Sequence, residues 1–152
     1  MVRTSTATAD QTTARQPVQS AAAAVGGVFL LIGVAGFIPG ITTEYGEMSF
    51  AGHDSHAYLF GLFQVSALHN IVHLLFGVGG LALARTVSTA RLYLVGGGAL
   101  YLVLWLYGLA IDHASAANFL PVNHQDNWLH LGLGLGMLAL GLLFNRRPVI
   151  GR

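Results

Sequence analysis

Four long apolar runs, at about residues 21–38, 59–84, 92–111 and 128–144, divide the chain, and charge is sorted between the gaps they leave. Arg3 and Arg15 precede the first run, Arg85 and Arg91 separate the second from the third, and Arg146, Arg147 and Arg152 follow the fourth. The alternate gaps hold Glu44, Glu47, Asp54, Asp112 and Asp126, together with His53, His56, His113 and His124. Four bilayer crossings would place every arginine on one side. The positive-inside rule makes that side cytoplasmic, with both termini in it. The expected fold is all-α: a four-helix transmembrane bundle, N-in and C-in.

Composition agrees. Apolar residues make up 54%, charged residues 9%, and the mean hydropathy is +0.63, values that belong to membrane proteins. A span needs about 20 apolar residues, so 152 residues supply one domain of four spans, over 20–145. A cytoplasmic tail over 1–19, rich in Thr, Ala, Ser and Gln, is expected to be disordered, and 146–152 forms a second tail. The first run exceeds the roughly 7–15 apolar residues of a signal peptide. Gly36-Phe37-Ile38-Pro39-Gly40, which follows, offers no small-x-small cleavage site, so the helix is read as retained. The lipid bilayer is the evident partner; no basic patch suits nucleic acid.

The missing residues narrow the chemistry. Without Cys there is no disulfide, iron–sulfur cluster, thiolate site or thioether haem attachment. Without Lys there is no Schiff base. No Arg, Asp or Glu falls in the middle of a run, which argues against a voltage sensor or a carboxylate proton pump. Chemistry inside the membrane rests on His, Asn, Tyr, Trp and Gln.

The second and fourth runs repeat one another. Residues 70–83 align without gaps to 127–140 with eight of fourteen positions identical, including Asn70-x-x-His73 and Asn127-x-x-His130. The first and third share a weaker echo, Val25-Gly26-Gly27 against Val95-Gly96-Gly97. Both strong copies run in the same direction, so the chain reads as two tandem hairpins in a parallel repeat about an axis along the membrane normal. Gly77 with Gly134, Gly79 with Gly136, Gly132-x-x-x-Gly136 and Gly96-Gly97-Gly98 are expected to let backbones approach.

His69 and His73 share a helix face at i, i+4, as do Asp126 and His130, and each Asn lies at i, i+3 to its His. A buried imidazole or amide in hydrocarbon must find a partner, so the two motifs should face each other. Three readings stay open. Asn70, His73, Asn127 and His130 form a hydrogen-bonded polar cluster that fixes register, with no cofactor. Alternatively His69, His73 and His130, with Asp126 or His124, hold Zn, Cu or Fe; Asn70 stands where a metalloprotease has its Glu, so peptidase chemistry is absent. Thirdly, His73 and His130 ligate haem from opposed helices, with nearby glycines making room. His53-Asp54-Ser55-His56 is read as a solvated loop rather than a metal or pH site. Tyr45, Phe50, Tyr58, Phe60 and Phe63 mark an outer aromatic belt, with Trp128 an anchor at the outer start of the fourth run.

These motifs, above all 59–63 leading into Leu68-His69-Asn70-Ile71-Val72-His73-Leu74, and Asn123-His124-Gln125-Asp126-Asn127-Trp128-Leu129-His130, resemble a family of small bacterial membrane proteins known as domain of unknown function 4383. The resemblance runs from about Gly26 to Phe144. The family typically reads Asn-Pro-Ala-Asp-Asn-x-x-His in the second motif, from which His124 and Gln125 depart. It implies four transmembrane helices in a bacterial plasma membrane and attention to His69, Asn70, His73, Asp126, Asn127 and His130; it brings no activity. The leading expectation is a multipass membrane protein without enzymatic activity, an accessory subunit of a larger complex or a homo-oligomer. The alternatives are a haem or metal protein and a small cation or proton transporter.

Overall fold

The computed structural model describes residues 15–144. Residues 1–14 of the expected N-terminal tail, and all of the C-terminal tail, lie outside the described residues; 17–19 already belong to a helix. The fold is mostly helical, with α1 Pro17–Ala35, α2 Ala67–Leu83, α3 Val87–Ala110 and α4 His124–Leu143.

Local sequence sets their starts. Pro17 opens α1, where a missing N–H costs nothing. Ser66 caps α2 by accepting from His69 N at 3.1 Å, and Thr86 caps α3 by accepting from Thr89 N. At α4, Asn123 Oδ1 accepts from Asp126 N while Asp126 Oδ2 accepts from Asn123 N, both at 2.9 Å. Two free N–H groups are thereby satisfied reciprocally. Two helices, α1 and α3, are long and apolar enough to cross a membrane. The α2 helix is a shorter apolar helix of 17 residues, and α4 opens on the polar turn His124-Gln125-Asp126-Asn127.

The expectation of an all-α chain needs one correction. Between α1 and α2 lies a small antiparallel sheet of three strands, β1 Thr42–Thr43, β2 Ala57–Leu59 and β3 Phe63–Val65, paired in that order. The apolar run 59–84 is therefore divided: its first part is strand and turn, and the helix begins at Ala67. Phe60 (φ 54°) and Gly61 (φ 70°) adopt left-handed backbone and fold β3 back on β2, with Leu59 opposite Phe63. Left-handed backbone costs a non-glycine residue about 1–2 kcal/mol, so Phe60 is held there by its surroundings. Ala57, Leu59 and Val65 bury one face of the sheet against Ile32, Ala35 and Ile41.

Consecutive helices pack as two antiparallel hairpins, α1 with α2 and α3 with α4, and α1 also meets α3. The main core lies where they meet, around Phe29, Leu94, Tyr101 and Met137. Glycines set the spacing. A Cβ on Gly26 would lie 2.9 Å from Gly77 O, and one on Gly98 would lie 2.9 Å from Gly134 O, so the backbones touch directly. The counterpart of Gly26 is thus Gly98, not Gly96, and the alignment of the first run with the third shifts by two residues. Gly79, Gly96, Gly132 and Gly136 meet nothing within 4 Å. The close approach expected of Gly79, Gly136 and the Gly132-x-x-x-Gly136 pair is not made within the chain.

Candidate functional site

In each hairpin the first turn of the second helix carries a polar face inward. Asn70 is fully buried, Asn127 is 3% exposed, and His69, His73, Asp126 and His130 are each at least nine-tenths buried. Asn70 packs against Gly36 at the end of α1, and Asn127 against Gly108 near the end of α3; a Cβ at either glycine would collide with the amide. Glycine at both places makes room for asparagine.

The expected hydrogen-bonded cluster does not form. Asn70 Oδ1, His73 Nδ1, Asn127 Oδ1 and His130 Nδ1 are buried without a hydrogen-bond partner among the described residues. Two aromatic rings pack beside the imidazoles. Phe29 lies 5.6 Å from His73, Tyr101 lies 5.2 Å from His130, and the two rings are 5.5 Å apart between them (centroid distances). The amides face glycines of their own hairpin instead of each other.

His69 and Asp126 behave differently, for each ties the two hairpins together. His69 Nδ1 lies 3.0 Å from Pro121 O, in the segment that leads into α4. The carbonyl accepts, so that nitrogen carries the proton. Asp126 Oδ2 accepts from Gln64 N at 2.9 Å, in the strand that leads into α2. Asn123 Nδ2 also donates to Leu62 O, and Gly52 N to Phe119 O. The outer segments are thereby joined.

Two small cavities flank the imidazoles, and His69, His73 and His130 line both. One, of about 70 Å³, lies between α2 and α3 beside Tyr101, Leu104 and Val122. The other, of about 60 Å³, lies between α4 and α1 beside Phe29, Ile32, Asp126 and Leu129. Each is below the roughly 150 Å³ of a cavity that takes one benzene ring, and so far below a porphyrin. The glycines expected to admit haem are filled: Leu30 covers Gly77 and Leu102 covers Gly134. The expected haem arrangement of His73 and His130 does not fit this packing. Nor does the expected metal set of His69, His73, His130 and Asp126 assemble: among the described residues, no three His, Asp or Glu side chains are grouped to hold an ion. His69 spends one nitrogen on Pro121, and Asp126 spends an oxygen on two backbone N–H groups.

The remaining histidines stay outside this centre. His53 pairs with Asp54 at 3.2 Å, His113 Nε2 meets Gly108 O, and His124 Nε2 accepts from Trp128 Nε1 at 2.9 Å. Sequence reasoning missed Phe29, Tyr101, Gly36 and Gly108. Extending the repeat upstream would have paired Ser66 with Asn123 and Gln64 with Pro121, both of which the structure uses.

Comparison with known proteins supplies one family. No curated protein and no solved structure matches the chain. A family described as a domain of unknown function (DUF4383) matches residues 19–143, nearly the whole of the described chain. The chain belongs to the DUF4383 family.

Proposed function

We propose that this chain is a multipass protein of the bacterial plasma membrane, with four spans and both termini in the cytoplasm. It acts there as an accessory subunit or homo-oligomer and carries no enzymatic activity. One observation carries the membrane reading: the distribution of polarity is inverted. Leu31 (71% exposed), Leu75 (66%), Leu92 (66%) and Leu142 (54%) project outward from all four helices, while Asn70 and Asn127 are buried. Water would penalise that outward surface, whereas hydrocarbon accepts it. The 17 residues of α2 reach about 26 Å at 1.5 Å each, close to a hydrocarbon core of about 30 Å. Its flanking strand residues extend the apolar run at the outer end.

The repeat reading draws on matched contacts. Gly26 on Gly77 corresponds to Gly98 on Gly134, Gly36 on Asn70 to Gly108 on Asn127, and Phe29 on His73 to Tyr101 on His130. Each pair is offset by 72 residues in α1 and α3, and by 57 in α2 and α4. The subunit reading draws on Gly79, Gly96, Gly132 and Gly136, which leave small, open faces for other helices. A through-path for ions is disfavoured, since Phe29, Phe76, Tyr93 and Tyr101 stack below the imidazoles.

The absence of Cys makes a clean topology test. In intact cells, a membrane-impermeant thiol reagent should label Glu44→Cys and Asp112→Cys, and should label Ser88→Cys only after lysis. The reverse pattern overturns the orientation. Mass measurement in mild detergent should find more than one copy or a bound partner. A lone monomer removes the subunit reading.

A further inference from the structure

The cavity between α4 and α1 shares part of its wall with a groove on the outer surface of α1. Ile32 and Phe60 line it, and the same two residues line a groove of about 300 Å³ on the outward side of α1, with Leu31, Val34, Ala35, Ile38 and Ile41. One space is small, with His69, His73, Asp126 and His130 set among apolar walls, and the other is larger and wholly apolar. Phe60 stands at the junction, 60% exposed and held in left-handed backbone. In the small space, His73 and His130 are over nine-tenths buried, and each has a ring nitrogen with no hydrogen-bond partner among the described residues.

We propose that this combined site binds a single-chain amphiphile with a hydroxyl head, a long-chain or isoprenoid alcohol, drawn from the outer leaflet. The head occupies the cavity at His73, His130 and Asp126, and the chain lies in the groove along α1. Size favours a small head: about 60 Å³ is less than half the roughly 150 Å³ of a cavity that takes a benzene ring. The groove, by contrast, is about twice the roughly 150 Å³ that takes a benzene ring. Chemistry decides the rest. A hydroxyl both donates and accepts, as neutral imidazoles require. A carboxylate would face Asp126, whose Oδ2 already accepts from Gln64 N and Asn123 N. His69 lines both cavities, but the one between α2 and α3 lacks Asp126 and has Phe119 and Val122 where this one has Phe60 and the sheet.

The inference rests on the membrane reading but fails separately from it. Full-length chain in phosphatidylcholine nanodiscs is photolabelled with a diazirine-bearing long-chain primary alcohol. Labelling should saturate, map to 31–41 and the turn at 60–62, and be displaced by unlabelled alcohol. A fatty acid, a primary amine and a lysophosphatidylcholine of equal length should displace it at least tenfold less well. Ile32→Trp, which fills the junction and leaves the imidazoles untouched, should cut saturable labelling at least tenfold, as should His130→Phe. Labelling that does not saturate, or that any of the three competitors displaces equally, overturns the proposal, and this arm needs no folded variant. Unchanged labelling in Ile32→Trp also overturns it. Release of the chain from native membranes by alkaline carbonate would instead sink the membrane reading and leave the competition result standing.

Discussion

The two hairpins are held by the same contacts yet differ where they reach toward each other. His69 in α2 and Asp126 in α4 occupy matching places, three residues after their caps Ser66 and Asn123. Each meets the segment leading into the other hairpin, at Pro121 and at Gln64, which also match. The side chains are opposite in kind because the backbone groups are. Gln64 presents an N–H, which needs an acceptor, and a carboxylate supplies it. Pro121 has no N–H and presents only its carbonyl, which needs a donor, and an imidazole N–H supplies that. The lesson is that backbone packing preserved the scaffold while one proline dictated the chemistry of its cross-link.

That comparison breaks first at the glycine contacts. Gly77→Val would drive its side chain into Leu30 and Gly26 O, and Gly134→Val into Leu102 and Gly98 O. Each should cost more than about 3 kcal/mol, the upper end for overpacking, and thermal unfolding in detergent should show equal losses. If either variant melts like the parent, the hairpins are not equivalent. The cross-links come next and should be unequal. Asp126→Ala strands two N–H groups at about 1–3 kcal/mol each, while His69→Ala strands one carbonyl. Denaturation should rank the first below the second in stability, and the opposite ranking would reverse the argument from Pro121.

The amide cradles sharpen the comparison further. Gly36→Ala and Gly108→Ala each force an asparagine to turn and should each cost about 1–2 kcal/mol, within the overpacking range. Adding Asn70→Gly to the first, and Asn127→Gly to the second, should recover part of that loss in a double-mutant cycle. Additive effects would mean that the glycines do not serve the amides. The smallest effect belongs to Gly79→Ala and Gly136→Ala, which face open space. Stability should move by less than about 0.5 kcal/mol, while oligomer mass, if these faces meet other copies, should shift. No shift in mass would leave them as lipid-facing positions.

Much of this was legible beforehand. The Asn-x-x-His motifs announce buried positions by recurring at one spacing, whereas the helix starts after Ser66, Thr86 and Asn123 differ from the expected run starts at 59, 92 and 128. The outer sheet was not legible, because Leu59-Phe60-Gly61-Leu62-Phe63 continues an apolar run and its turn depends on left-handed backbone at Phe60. Nor was the two-residue shift between α1 and α3. Gly96, Gly97 and Gly98 are interchangeable in a string of letters, and only helix rotation selects Gly98 for contact.

Sequence alone determined the number and order of the helices and the burial of His73, His130, Asn70 and Asn127, since the length of an apolar run and the desolvation cost of a polar group act locally along the chain. Tertiary structure decided that the two motifs make no hydrogen bond to each other, that the space beside them is too small for a porphyrin, and that His69 and Asp126 reach across to the other hairpin. Those outcomes depend on where Phe29 and Tyr101 place their rings and on which backbone group faces each side chain. Both are properties of packed helices at a fixed rotation, and no spacing rule along a single helix contains them.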